Sequence, residues 1–389
     1  MPLAIYALTI GSFGIGITEF VIMGLLPEVG RDMGVTLSQA GYLVSGYALG
    51  VMIGAPLMIG VTGHMARKHV LLWLMVIFTI GNLACAMAPE YWSLLLARVV
   101  TSFAHGAFFG IGSVVATSLV PREKQASAIA LMFTGLTLAN VLGVPLGTWV
   151  GQLYGWRTTF ALVTVVGVLA VMTIGLLLPR DSRHSTAPSF ANELRVLRQR
   201  QVMLGLGMTV FGFGGLFVVF TYIAPVLTSL AGFPGQAVSP ILLVFGVGLV
   251  LGNWAGGKAA DQRLMPTLIG TIALLMLCLL GFGWAMQSQV MTIIAVGLLG
   301  VVSFATVPAM QMRVLEKASA APNLAAALNI GAFNLGNAIG AWLGGLVIDY
   351  GNGLPGLHYA GALMALVGLL LAVYSAALDR RSSPLLAKE

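Results

Sequence analysis

Glu19 is the one charged residue between Met1 and Pro27, set in the apolar run Gly16-Ile17-Thr18-Glu19-Phe20-Val21-Ile22. A charged group at the centre of a lipid-length helix costs roughly 2.5–3.5 kcal/mol on insertion scales, and residues kept at that cost mark proton relays and ion pathways. A carboxylate there can take a proton from one side of an apolar barrier and release it to the other. Its other use is to tie helices together by hydrogen bonds. Arg98 and His105 stand seven residues apart in a second apolar stretch. Seven residues are two helical turns, so both side chains leave the same side of a helix. Imidazole exchanges protons near physiological pH, whereas guanidinium stays charged. The three residues are therefore proton-coupling candidates: Glu19 as the carrier, His105 as a relay or a hydrogen-bonding group for a substrate, and Arg98 as a fixed positive charge. Two structural readings stay open beside these, a packed histidine next to Gly106 and an arginine that only holds a bundle.

A second set could line a cavity. Small-molecule sites combine apolar walls with a few polar anchors. Phe217, Phe220, Tyr222 and Phe333 supply aromatic walls, and Asn140, Asn329 and Asn334 supply amides within apolar segments. Each of them taken singly also suits a helix–helix contact. A third set is small residues at four-residue spacing: Gly143, Gly147 and Gly151, then Gly340 and Gly344. This spacing lets helix backbones approach closely, and Pro145 removes a backbone donor and can bend the helix that holds it.

These residues require long apolar helices to position them. Hydrophobic residues make up 58% of the 389 positions and charged residues 8%, against about a quarter charged in soluble domains. Spanning hydrocarbon takes roughly 20 apolar residues per helix. Twelve segments qualify: 4–27, 40–62, 70–88, 93–119, 126–152, 158–178, 202–230, 238–257, 266–286, 289–312, 323–348 and 357–378. Runs such as Ala161 to Leu178 are apolar on both strand faces, which excludes the alternating pattern of a membrane β-barrel. The first segment has no lysine or arginine before Arg31 and no cleavage signature, so it reads as a spanning helix and not a signal peptide. Cys85 and Cys278, each alone in an apolar stretch, indicate neither a disulfide framework nor a metal site.

The net charge is +7 and its distribution sets an orientation. With the amino terminus in the cytoplasm, sixteen of the nineteen lysines and arginines fall in cytoplasmic loops and the carboxyl tail, two (Arg31 and Arg157) fall outside, and Arg98 lies within a span. The bias of basic residues to the cytoplasmic side then places both termini there. The same scatter between lipid-length helices excludes a nucleic-acid-binding face. Residues 179–201 are the longest polar stretch and divide the chain into a six-span bundle over 1–178, a cytoplasmic linker, and a second bundle over 202–389. The halves match at an offset of 197: Gly60 to Gly257, His64 to Asp261, Gly143 to Gly340, Gly147 to Gly344, and Phe20-Val21 to Phe217-Val218. Internal repeats of this size are typical of secondary transporters, with the substrate at the repeat interface. Phosphate-loop and nucleophile-elbow motifs are absent, so nothing indicates an enzyme or a cofactor.

Four stretches carry a family resemblance. GITEFVIMGLLPEV (Gly16–Val29), RVVTSFAHG (Arg98–Gly106), GLTLANVLGVPLGTWVG (Gly135–Gly151) and TYIAP (Thr221–Pro225) resemble motifs of the major facilitator superfamily, in its twelve-helix drug:proton antiporter branch near the arabinose-efflux-permease-like group. One signature departs: the loop GVTGHMARKH carries His64 where the family has an aspartate, while the second copy, GKAADQR, keeps Asp261 after Gly257. The resemblance implies an all-α membrane protein of two pseudo-symmetric six-helix bundles. It implies export of sugars or drugs across a bacterial inner membrane by alternating access, in exchange for protons. Partners are then a small molecule, protons and the bilayer, and a monomer suffices. The resemblance also makes the glycine–proline stretch a hinge or an anti-leak seal, with plain helix packing as the other reading. An uncoupled sugar facilitator and a transporter-like sensor are the alternative functions.

Overall fold

The structure, a computed structural model, describes residues 1–62, 65–121, 124–179, 199–318 and 322–386. His64 and most of the 179–201 linker lie outside the described residues. Among those described, twelve helices are long and apolar enough to cross a membrane. We number them α1 (Leu3–Gly24), α2 (Leu37–Thr62), α3 (Arg67–Met87), α4 (Tyr91–Ser118), α5 (Ser127–Tyr154), α6 (Trp156–Leu177), α7 (Arg200–Phe220), α8 (Gly235–Gln262), α9 (Leu264–Ala285), α10 (Gln289–Lys317), α11 (Leu324–Tyr350) and α12 (Leu354–Arg380). Helices win because hydrocarbon offers no hydrogen bonds, so each segment must satisfy its own backbone. Their ends use ordinary devices. Thr36 and Gln39 form a capping box before α2, with Thr36 N–H on Gln39 Oε1 at 2.9 Å and Gln39 N–H on Thr36 Oγ1 at 3.2 Å. Gly155, at φ +89°, turns the chain from α5 to α6 with no other residue between them.

Proline modifies three of the expected helices. The first was expected to run to 27 but ends at Gly24. After Leu25 a short helix, Leu26–Met33, starts with Pro27 in its first turn, where a missing N–H costs nothing. In α5, Ala139–Gly143 is π-helical just before Pro145, and the Val144 N–H reaches back five residues to the Ala139 carbonyl. The seventh segment was expected to be continuous over 202–230. It breaks at Thr221 and Tyr222, because the Pro225 ring cannot coexist with a regular helical carbonyl at position 221.

The chain divides into two compact units, Met1–Ala187 with Tyr222–Gly246, and Pro188–Thr221 with Val247–Glu389. In the first, α1 is the most enclosed helix; in the second, α7 is. The glycine seam of α5 runs along α1: a Cβ at Gly143 would sit 2.4 Å from Ile17, at Gly147 2.9 Å from Val21, and at Gly151 2.7 Å from Leu25. Four-residue steps on one helix thus meet four-residue steps on the other. In the second unit, a Cβ at Gly340 would lie 2.4 Å from the Gly214 carbonyl oxygen. Since Gly214 is Ile17 displaced by 197, the contact repeats at the sequence offset. Gly344 follows one turn later and is buried.

Within the first unit the Tyr222–Gly246 segment is laid along α1, α2 and α5. The Tyr222 hydroxyl lies where a Gly41 Cβ would be, and Leu242 lies against Gly24. Ser239 donates to the Pro145 carbonyl at 2.7 Å, and Gln152 Nε2 to the Gly235 carbonyl at 3.0 Å.

Charged residues at the ends of the spans hold helix ends. Arg157 pairs with Asp32 and donates to the Ala88 carbonyl at 3.0 Å, joining three connections at one end of the unit. Hydrogen bonds from Arg157 and Trp156 hold the Asp32 carboxyl below its ordinary range. At the other end Lys68 Nζ donates to the carbonyls of Gly175 (2.7 Å) and Leu178 (2.5 Å), a cation on the carboxyl end of α6. Lys68→Met keeps the stem and removes the charge, and should destabilise the solubilised protein by about 1 kcal/mol, the usual worth of such an interaction. An unchanged thermal midpoint would show that water replaces Lys68 at no cost.

Candidate functional site

The first unit gathers buried polar side chains from α1 to α4. Glu19 comes from α1, Tyr47 from α2, and Arg98 and His105 from one side of α4. His105 Nε2 lies 3.9 Å from Glu19 Oε2, and Tyr47 Oη lies 3.3 Å from His105 Nδ1. The Glu19–His105 separation is ion-pair range; direct proton transfer needs an approach of about 1 Å more. Arg98 is fully buried. Its Nε donates to the Leu43 carbonyl at 3.0 Å and its Nη1 to the Thr18 carbonyl at 3.3 Å. The guanidinium also stands 4.9 Å from the Tyr47 ring centroid and 5.9 Å from that of Phe160. Nη2 has no hydrogen-bond partner among the described residues, so the aromatic faces are what it meets. Among the described residues no carboxylate is directly bonded to this guanidinium; carbonyls and aromatic faces surround it.

The three residues chosen from sequence thus occupy one site. Tyr47 is the member that sequence reasoning missed, and it links Arg98 to His105. Its signal was present: a tyrosine within an apolar span must find a partner for its hydroxyl. Thr18 and Asn82 were missed too; Thr18 Oγ1 donates to Asn82 Oδ1 at 2.9 Å and anchors α1 to α3 beside the site. The arrangement sets a carboxylate at ion-pair distance from an imidazole, with a buried guanidinium nearby.

The cavity candidates separate. In the second unit Phe217 and Phe333 both pack on Phe213, with ring centroids at 5.8 and 4.9 Å, and Phe220 follows Phe217 at 6.4 Å. Tyr222 is not in this cluster; it belongs to the first unit, against Gly41. The amides differ in what they leave unused. Asn329 accepts from Thr209 at 2.7 Å and donates to Gln311 Oε1 at 2.7 Å, so it ties α7, α10 and α11 together. Asn140 donates to Leu136 of its own helix at 3.0 Å. Asn334 donates to Ile330 at 3.0 Å, and its Oδ1 is buried without a hydrogen-bond partner.

Gly257 has room, its nearest Cβ contact being Pro308 at 3.9 Å, and Asp261 is exposed at the carboxyl end of α8. The close seam in that region uses Gly248, Gly252 and Gly256, which meet Gly297, Val301 and Ala305 of α10. Its signal was the same four-residue spacing that identified α5. Arg313, which the charge distribution assigns to a loop, is buried at the end of α10. It pairs with Asp379 at 2.7 Å and donates to Ser375 Oγ at 2.7 Å.

Comparison with known proteins places these features in context. Residues 8–326 match the family described as the Major Facilitator Superfamily. The chain is 47% identical over 370 residues to the inner membrane transport protein YdhP of Escherichia coli O157:H7, covering 95% of each chain. It is 31% identical over 375 residues to a chloramphenicol resistance protein of Streptomyces lividans, covering 96% of each. The fold is similar to that of the xylose transporter XylE from E. coli in a partially occluded inward-open conformation. There the TM-score is 0.75 and the identity 17%, over 95% of this chain and 96% of that one.

Proposed function

Because this chain belongs to the Major Facilitator Superfamily and is a multi-pass membrane transporter, we propose that it exports small molecules in exchange for protons by alternating access. The observation that carries the reading is Glu19, buried in the first unit at 3.9 Å from His105. Intramembrane carboxylates at such positions serve proton relays. In this mechanism Glu19 loads a proton, His105 and Tyr47 move it along the α2–α4 side, and Arg98 biases the site towards release. The exported molecule is a drug or sugar, and Phe217, Phe220, Phe333 and Asn334 supply its apolar wall and one free acceptor. Support for the drug side comes from the chloramphenicol resistance relative.

The six-span halves are 1–178 and 202–389, with Tyr222–Gly246 as the part of the second that packs within the first unit. Both termini face the cytoplasm, the membrane is the inner one, and one chain suffices. The name of the YdhP relative supports the membrane assignment. The test is reconstitution in liposomes carrying an internal pH dye, followed by addition of chloramphenicol and of pentose sugars. Substrate-triggered proton movement is expected for at least one class. Transport without any proton signal would make the protein an uncoupled facilitator.

A further inference from the structure

A second polar site lies away from Glu19, at the end of the first unit that carries the Asp32–Arg157 pair. A cavity of about 650 Å³ is lined by Glu28, Trp149, Gln152, Leu153 and residues 234–236. Two acceptor atoms in it are buried and have no hydrogen-bond partner among the described residues: Glu28 Oε2 and Gln152 Oε1. Glu28 Oε1 is 4.0 Å from Arg31, which is largely solvated, the Glu28 backbone and the Gln152 side chain also hydrogen-bond the Glu28 carboxyl, and Gln152 Nε2 donates to the Gly235 carbonyl as well. Two desolvated acceptors facing a cavity cost free energy unless a donor reaches them. The walls define that donor further. Trp149 offers an aromatic face to a cation, and Leu153 and Pro234 offer apolar surface.

We propose that this cavity binds the primary ammonium group of an amphipathic molecule, with the N–H groups donating to Glu28 Oε2 and Gln152 Oε1 and the apolar body lying on Trp149 and Leu153. A carboxylate supplies the counter-charge, the amide adds a neutral acceptor, and both are fixed on helices. Burial pushes the Glu28 carboxyl above its ordinary range, so the free site resists holding a bare charge and a cation restores it. The same ammonium chemistry is available from a free amine or from the headgroup of phosphatidylethanolamine.

The full-length protein in phosphatidylcholine nanodiscs is titrated calorimetrically with 2-phenylethylammonium and, as a neutral match, with 2-phenylethanol. The ammonium is expected to bind and the alcohol not. Glu28→Gln should weaken binding at least tenfold, and Gln152→Leu, which keeps the carboxylate, should weaken it less. Nanodiscs containing phosphatidylethanolamine separate the sources: a displaced titration identifies the headgroup as occupant, and an unchanged one identifies a free amine. The proposal is overturned if the parent binds neither the amine nor the lipid. It is overturned equally if both variants bind as the parent does, which would mean that Glu28 is protonated and satisfies Gln152 itself.

Discussion

Glu19→Gln is expected to reduce substrate-triggered proton movement in liposomes to the level of protein-free vesicles, while the protein still inserts and folds. Glutamine has the shape of the acid and cannot carry its proton. The change also removes a buried ionisable group from α1, relieving an insertion cost of up to about 3 kcal/mol. Stability should therefore hold or rise, so lost transport cannot be ascribed to unfolding. Glu19→Asp separates chemistry from reach: it keeps the proton but draws the oxygen away from His105, already at 3.9 Å, and should retain slow exchange. Proton-coupled transport by Glu19→Gln at the parental rate would remove Glu19 from the mechanism and leave it a helix tie.

The second large effect is expected at Gly147. A Cβ there would lie 2.9 Å from Val21 and 3.1 Å from Thr159, whose hydroxyl also donates to the Gly147 carbonyl at 2.7 Å. Leucine cannot fit between α1 and α6 without moving one of them. Overpacking of this kind costs about 1–3 kcal/mol, and the displaced helix is the one that holds Glu19. Gly147→Leu should lower the thermal midpoint and suppress transport together. Gly147→Ala should be mild, and milder still with Val21→Ala, which opens the space its methyl needs. Wild-type transport and stability in Gly147→Leu would show that the α1–α5 seam slides apart freely.

Much of this was legible in the residues. Hydrocarbon forces helices, so length and apolarity alone located twelve spans, and the offset of 197 that marks two similar halves is repeated in the way α7 and α11 meet as α1 and α5 do. Glu19, Arg98 and His105 stood out because charge in an apolar run has few excuses. Tyr47 did not stand out, since an aromatic residue in a span reads first as packing; only its place between Arg98 and His105 gives it a role. The close approach of Gly256 to α10 went unread because one residue is 100° of helix rotation, and composition does not say which of two neighbouring glycines faces α10. The break after Phe220 was overlooked although Pro225 predicts it, because hydropathy averages across a single proline.

The way Tyr222–Gly246 packs in the first unit has an energetic consequence for ligands. Any state in which that segment leaves its place gives up the Ser239–Pro145 and Gln152–Gly235 hydrogen bonds, at about 1 kcal/mol each. Those two bonds alone hold such a state to at most roughly one part in thirty. A molecule that binds only that state has its apparent affinity lowered by at least that factor. A molecule that binds the arrangement seen here carries no such handicap, so removing the Ser239 hydroxyl would change the ranking of ligands without touching any surface they contact.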